Sequence, residues 1–192
     1  MHATRDTNHF MLRGRCWRAR DARRYASSLV TNDRRMNIDY LAEHRAFIPA
    51  LSEWFLQEWR DYYGDKTWED IASTFYQRLN RSRVPLALVA FEGDRPLGTV
   101  SLLEESISTR KHLAPWLGGL YVREDVRRHG IGKQLIEAAA GEARGLGIKQ
   151  LFIGIRKAED YYSKLGWEMV ERVDYYGEAI AIMRLDLRRG EA

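Results

Sequence analysis

A chain of 192 residues, 45% hydrophobic and 30% charged, suits one domain with a sizeable core. No apolar run approaches the ~20 residues of a membrane span. The single cysteine, Cys16, excludes an intrachain disulfide, and five scattered histidines do not make a structural zinc site.

The net charge of +4 comes from residues 1–35, where nine arginines and three aspartates give +6. The other 22 basic and 24 acidic residues give −2, so the main body has little basis for binding nucleic acid. Residues 1–35 lack the apolar segment of a secretory signal, and Asp6, Asp21 and Asp33 argue against a mitochondrial leader. They read as a basic extension prone to disorder or an upstream-read start, with Met36 opening the folded unit. Residues 36–188 are read as that unit and 189–192 as a tail. One cysteine fits a reducing, cytoplasmic compartment.

In chain order, residues 37–42 read as a short strand. Phe47, Ile48, Leu51, Trp54, Phe55 and Trp59 recur at helical spacing, predicting a helix over 46–62. Gly64-Asp65 breaks it, and Ile71, Phe75, Tyr76 and Leu79 mark a second helix over 68–79. Leu86–Phe91 is a buried-strand run. Glu92–Arg95 is a hairpin turn with Gly93 able to take positive φ, and 97–104 is the returning strand. A polar loop leads to a fourth strand over 116–122. A long helix follows, with Ile131, Leu135, Ile136, Ala139, Ala143 and Leu146 on one stripe and Gly145 and Gly147 as stop signals. Then come a strand over 151–155, a short helix over 159–164, and a closing strand pair, 167–173 and 179–187. This order is α/β of the α+β type, with a mixed, mostly antiparallel sheet flanked by helices. The hairpin at Gly93 rules out a doubly wound parallel sheet.

The segment Tyr121-Val-Arg-Glu-Asp-Val-Arg-Arg-His-Gly-Ile-Gly-Lys133 carries most of the chemistry. A helix start offers unpaired N–H groups and the positive end of the macrodipole. Gly130 and Gly132 let a ligand approach the backbone, and Arg127, Arg128 and Lys133 add charge, so the segment reads as a phosphate cradle. It is neither a P-loop nor a dinucleotide fingerprint, because the required Lys-Ser/Thr pair and third glycine are missing.

The pattern Arg127-x-x-Gly130-x-Gly132 resembles the acyl-CoA pyrophosphate loop of the GNAT superfamily of N-acetyltransferases. Pro115–Val122 resembles that family's bulged fourth strand and Leu151–Ile155 its fifth. Tyr161-Tyr162-Ser-Lys-Leu-Gly166-Trp167 resembles its Tyr-x-x-x-Gly-aromatic segment. The resemblance implies fourth and fifth strands that splay apart around the cofactor's pantetheine arm. It also implies acetyl-CoA as cosubstrate, held by Leu120, Tyr121, Val122, Arg127, Arg128, His129, Gly130, Ile131, Gly132 and Lys133, and no metal.

Acetyl transfer needs a neutral amine, yet only ~10⁻³ of a lysine-like amine is free base at pH 7. The resemblance makes Tyr162 the proton donor to the leaving thiolate, with Tyr161 its neighbour. Backbone N–H groups near Leu120–Val122 would hold the oxyanion, with Gly118 and Gly119 suited to a bulge. The fourth strand carries no carboxylate, so Glu104 is the base candidate, acting through water, with His129 and His112 as alternatives. Trp54, Trp59, Tyr62, Tyr63 and Trp116 are candidates to line the acceptor site, near the acidic Glu53, Glu58, Asp61 and Asp65. The expected partner is a small amine or a peptide N-terminus, with no membrane; a homodimer stays open. The rival expectation is a non-catalytic acyl-CoA-binding sensor.

Overall fold

The computed structural model describes residues 35–188, so the readings made for residues 1–34 and 189–192 lie outside the described residues. β1 (Asn37–Tyr40) ends in 3-10 turns that lead into α1 (Ile48–Glu58), which has Pro49 in its first turn. The single helix expected over 46–62 is interrupted at Trp59 (φ −119°, ψ 34°) and resumes for one turn as α2 (Arg60–Tyr63). The interruption accompanies partial burial of the indole, 4.6 Å from the Phe55 ring and 6.1 Å from Tyr121. Aromatic packing against the sheet thus overrides helical spacing.

α3 (Trp68–Gln77) opens on a capping box in which Thr67 and Asp70 satisfy each other's backbone N–H. It ends two residues before the expected Leu79, because Leu79 bridges to Leu86 and the Asn80 side chain donates to Gln77 O and Pro85 O. β2 (Leu86–Glu92), β3 (Arg95–Leu103) and β4 (Trp116–Val122) then form a meander, with Gly93 at φ 56° in its first turn. α4 (Ile131–Gly145), β5 (Gln150–Ile155), α5 (Glu159–Lys164), β6 (Glu168–Tyr175) and β7 (Glu178–Asp186) complete the unit.

The sheet order is β1-β2-β3-β4-β5-β7-β6, and every neighbouring pair is antiparallel except β4–β5. Leu51, Phe55, Ile71 and Phe75 of α1 and α3 pack on Ala87 and Val89 on one face. Leu135, Ile136 and Ala139 of α4 pack on Leu88, Val100 and Leu102 on the other. Each fully buried side chain of this size contributes about 1.5–3 kcal/mol.

β4 and β5 meet only where Trp116 pairs with Phe152, with Phe152 N–H donated to Pro115 O at 3.0 Å. Beyond that point they separate. The register of β3 against β4 slips between Thr99 and Ser101, so Gly119 and Leu120 together oppose Val100. Gly119 takes φ 57° there. This is the bulge expected from the glycine pair, and it turns β4 away from β5. Trp116 is wholly buried, 5.8 Å from Phe152, with its indole N–H donated to Leu113 O. It closes the narrow end of the gap as a core residue. The expectation that it lines an open acceptor site is therefore corrected.

Candidate active site at the open end of the strand gap

β4 and β5 run parallel, so their carboxyl ends, the loop after β4 and α5 after β5 all gather at the open end of the gap. In α/β sheets ligands bind at such carboxyl ends. Arg123 N–H donates to Leu97 O across the ladder with β3. Antiparallel alternation therefore turns the main-chain N–H of Val122 away from β3 and into the gap. Tyr121 pairs with Thr99 and sends its ring to the α1 face, where Trp54 stacks on it at 5.3 Å. A cleft of about 390 Å³, lined by Trp54, Glu58, Tyr121 and Arg123 among others, opens on that side.

After a 3-10 turn at Glu124–Val126, Arg128 (φ 68°) and Gly130 (φ 81°) both take left-handed backbone. Among the described residues, no group accepts from the main-chain N–H of any residue from 128 to 133. Six consecutive amides at a helix start are thus left for a ligand, and together with the dipole of the 15-residue α4 they favour an anion. Ile131 anchors the turn in the core, 6% exposed. A Cβ on Gly132 would lie 3.6 Å from Val122 Cγ2, so the cradle sits on the end of β4.

The cations around the cradle differ in their engagement. Arg127 Nε donates to Val122 O at 2.8 Å and Nη2 to Glu58 Oε2 at 3.1 Å, with the guanidinium 5.4 Å from the Tyr121 ring centre. Arg127 therefore fastens the loop to β4 and α1. Lys133 reaches Glu137 at 3.6 Å, and Arg128 makes no ion pair among the described residues. His129 Nδ1 lies 3.2 Å from Val126 O. A carbonyl only accepts, so Nδ1 is the donor in this contact.

Tyr162 and Tyr161 separate cleanly. Tyr162 is 9% exposed and edge-on to Trp167 at 6.1 Å, in one cluster with Ile155, Leu120 and Val122. Tyr161 is 42% exposed. Burial, with a smaller contribution from Tyr161, pushes the Tyr162 phenol up to about 12, so it holds its proton at neutral pH.

The model of the acetyltransferase (GNAT) family matches residues 48–167. The chain belongs to the GNAT acetyltransferase family. Searching curated proteins by sequence finds no match. Among solved structures, the aminoglycoside 6'-N-acetyltransferase from Enterococcus faecium is 16% identical with a TM-score of 0.62, covering 79% of this chain and 97% of its own. An aminoglycoside 6'-N-acetyltransferase complexed with coenzyme A is 16% identical with a TM-score of 0.63 over the same shares. The Salmonella typhimurium protein yncA, solved with its cofactor acetyl-CoA, is 18% identical with a TM-score of 0.64, covering 82% of this chain and 96% of its own. At these identities the likeness is one of fold.

In this GNAT chain the base candidates stand apart from the cradle. Glu104 lies one residue past β3, exposed, with no hydrogen bond or ion pair among the described residues. His112 is also exposed, in the β3–β4 loop. That loop is clamped to β6 by a two-bond contact from Arg110 to Glu171, at 2.8 and 2.9 Å. Of the acidic group, Glu58 is engaged by Arg127 and Glu53 accepts from Gln57. The sequence reading missed Arg78 and Ser101. Ser101 is fully buried and its Oγ accepts from Arg78 Nη1 at 3.3 Å. A serine within the apolar run of β3 was the available signal. Thr99, the other such residue, only donates to Leu88 O.

Proposed function

We propose that this protein transfers the acetyl group of acetyl-CoA to a primary amine, on a small molecule or a peptide terminus, by direct attack in a ternary complex. The observation that carries this reading is the run of acceptor-free amides at 128–133, set at the open end of the β4–β5 gap. Those amides, with Arg128 and Lys133, would grip the diphosphate of acetyl-CoA, and the gap would take its pantetheine arm. The residues named as cofactor-binding on sequence fit this role. Arg127 and Tyr121 serve it by holding the loop and the strand rather than through free donors.

The amine nitrogen attacks the thioester carbonyl carbon. The N–H groups of Leu120 and Val122 meet the oxyanion that forms, as pre-aimed donors in a water-poor gap. As the C–S bond breaks, Tyr162 gives its proton to the thiolate and later recovers one from solvent. Glu104 lies three residues beyond Ser101, about 10 Å along an extended strand. It takes the amine proton through water. Glu104→Gln is expected to lower kcat/KM about tenfold near pH 7, with less effect at high pH where the amine is already neutral. An unchanged pH profile would remove Glu104 from the reaction.

The deciding experiment is a titration with acetyl-CoA followed by thiol-release assays with a polyamine, an aminoglycoside and short peptides. Micromolar binding and turnover on at least one amine are expected. Binding without turnover on any amine would instead favour a sensor. Absence of binding would overturn the cradle itself.

A further inference from the structure

Arg78 follows the last turn of α3, and its guanidinium lies against the sheet. Nη1 sits 3.3 Å from Ser101 Oγ, Cζ sits 5.5 Å from the Phe75 ring centre, and Nη1 is 3.6 Å from where a Cβ on Gly119 would be. Gly119 is the bulge residue of β4, and Ser101 pairs with Gly118. The charge therefore stands directly over the bulge, on the α1–α3 face. Burial pulls its pKa below the ordinary arginine value.

Nine other arginines of the described residues pair with a carboxylate, and most of them are well exposed. Arg78, partly buried, pairs with none; the other groups acting on its charge are Tyr62 and Tyr63. A guanidinium has five N–H donors, and only one has an acceptor here among the described residues. None of its nitrogens is sealed in the interior without a partner, so the open donors face solvent. A partly desolvated charge without a counter-charge carries a cost that a bound anion would offset.

The surroundings say what would complete it. The Tyr62 phenol feels the charge of Arg78 and the Tyr175 and Tyr176 phenols at the β6–β7 turn. The Tyr175 hydroxyl is tied to Ser108 of the β3–β4 loop at 3.3 Å. Phenols of α2 and of the β6–β7 turn therefore share the electrostatic surroundings of this face. One guanidinium balances a monoanion and presents a fork that fits both oxygens of a carboxylate.

We infer that Arg78 binds a carboxylate on the acceptor, so that the amine belongs to the amino-acid or peptide class with its carboxylate close to the reacting nitrogen. This rests on the acetyl-transfer reading above and narrows its substrate. The acidic residues of α1 and α2 pointed to a cationic acceptor, but the group that reaches the bulge is a cation.

The test compares L-phenylalanine with phenethylamine and L-lysine with cadaverine as acceptors. The wild-type protein, Arg78→Met and Arg78→Lys are assayed alongside acetyl-CoA affinity and thermal midpoint. Met keeps the aliphatic stem against Phe75, and Lys keeps the charge without the fork. The expected result is about a 10- to 100-fold preference in kcat/KM for the carboxylated member of each pair. That preference should vanish in Arg78→Met and partly survive in Arg78→Lys, with acetyl-CoA affinity unchanged. Equal use of both members by the wild type would overturn the assignment of Arg78 and leave acetyl transfer standing. So would an equal loss on both in Arg78→Met. Acetyl-CoA binding with no acetylation of any of the four amines, nor of the polyamine, aminoglycoside and peptides, would overturn both.

Discussion

Replacing Tyr162 with phenylalanine is expected to lower kcat by about 100-fold or more, the usual contribution of a general acid, while acetyl-CoA affinity changes less than twofold. The ring stays edge-on to Trp167, so packing is kept and only the proton is lost. A reduction of kcat below threefold would reduce Tyr162 to a packing residue. The pH dependence gives an independent check. Burial raises the folded-state pKa to about 12, against 10.0 for a free tyrosine. The protonated phenol is therefore favoured by folding. This contribution is fully present below pH 10 and is lost as the pH rises from there toward 12, because the unfolded chain ionises first. The wild type should lose on the order of 2 kcal/mol across that window, and Tyr162→Phe should lose less. Urea melts at pH 8 and pH 11 would measure the difference. Activity should show no loss from Tyr162 ionisation anywhere in the physiological range.

Gly132→Glu is expected to weaken acetyl-CoA binding by at least ~100-fold, because it places a carboxylate among the amides proposed to grip the diphosphate, and opposed like charges cost several kcal/mol. The fold should not suffer. A Cβ there meets Val122 Cγ2 at an ordinary 3.6 Å. Glutamate is a better helix former than glycine and favours the positive end of the helix, so stability should rise by about 1 kcal/mol. A titration with acetyl-CoA beside a urea melt separates the two effects. Binding within threefold of wild type would mean that the anion site lies elsewhere. A large loss of stability would mean that the turn is held by contacts other than those described.

The element order and most boundaries were legible because they depend on local periodicity. Residues 116–122 and 159–164 read as a strand and a helix and are found so. The glycine pair at 118 and 119 announced the bulge, and Gly130 announced an open helix start, since the left-handed backbone of Gly119 and Gly130 is cheap only for glycine. The helix over 46–62 failed at Trp59, where the decisive contact is with Tyr121, more than sixty residues away. Trp116 read as an acceptor-site candidate for the same reason: burial at the closed end of a strand gap leaves no local trace.

By itself, then, the sequence determined the family, the helix and strand order and the glycine-bearing turn before α4, all of which are written in contiguous residues with fixed spacing. Tertiary structure alone decided which tyrosine faces inward at 161–162 and which arginine is occupied. Arg127 is bound to Glu58, and Arg78 stands over the bulge with no carboxylate partner among the described residues. Charge pairing and burial are set by neighbours far apart in the chain, and no local pattern encodes them.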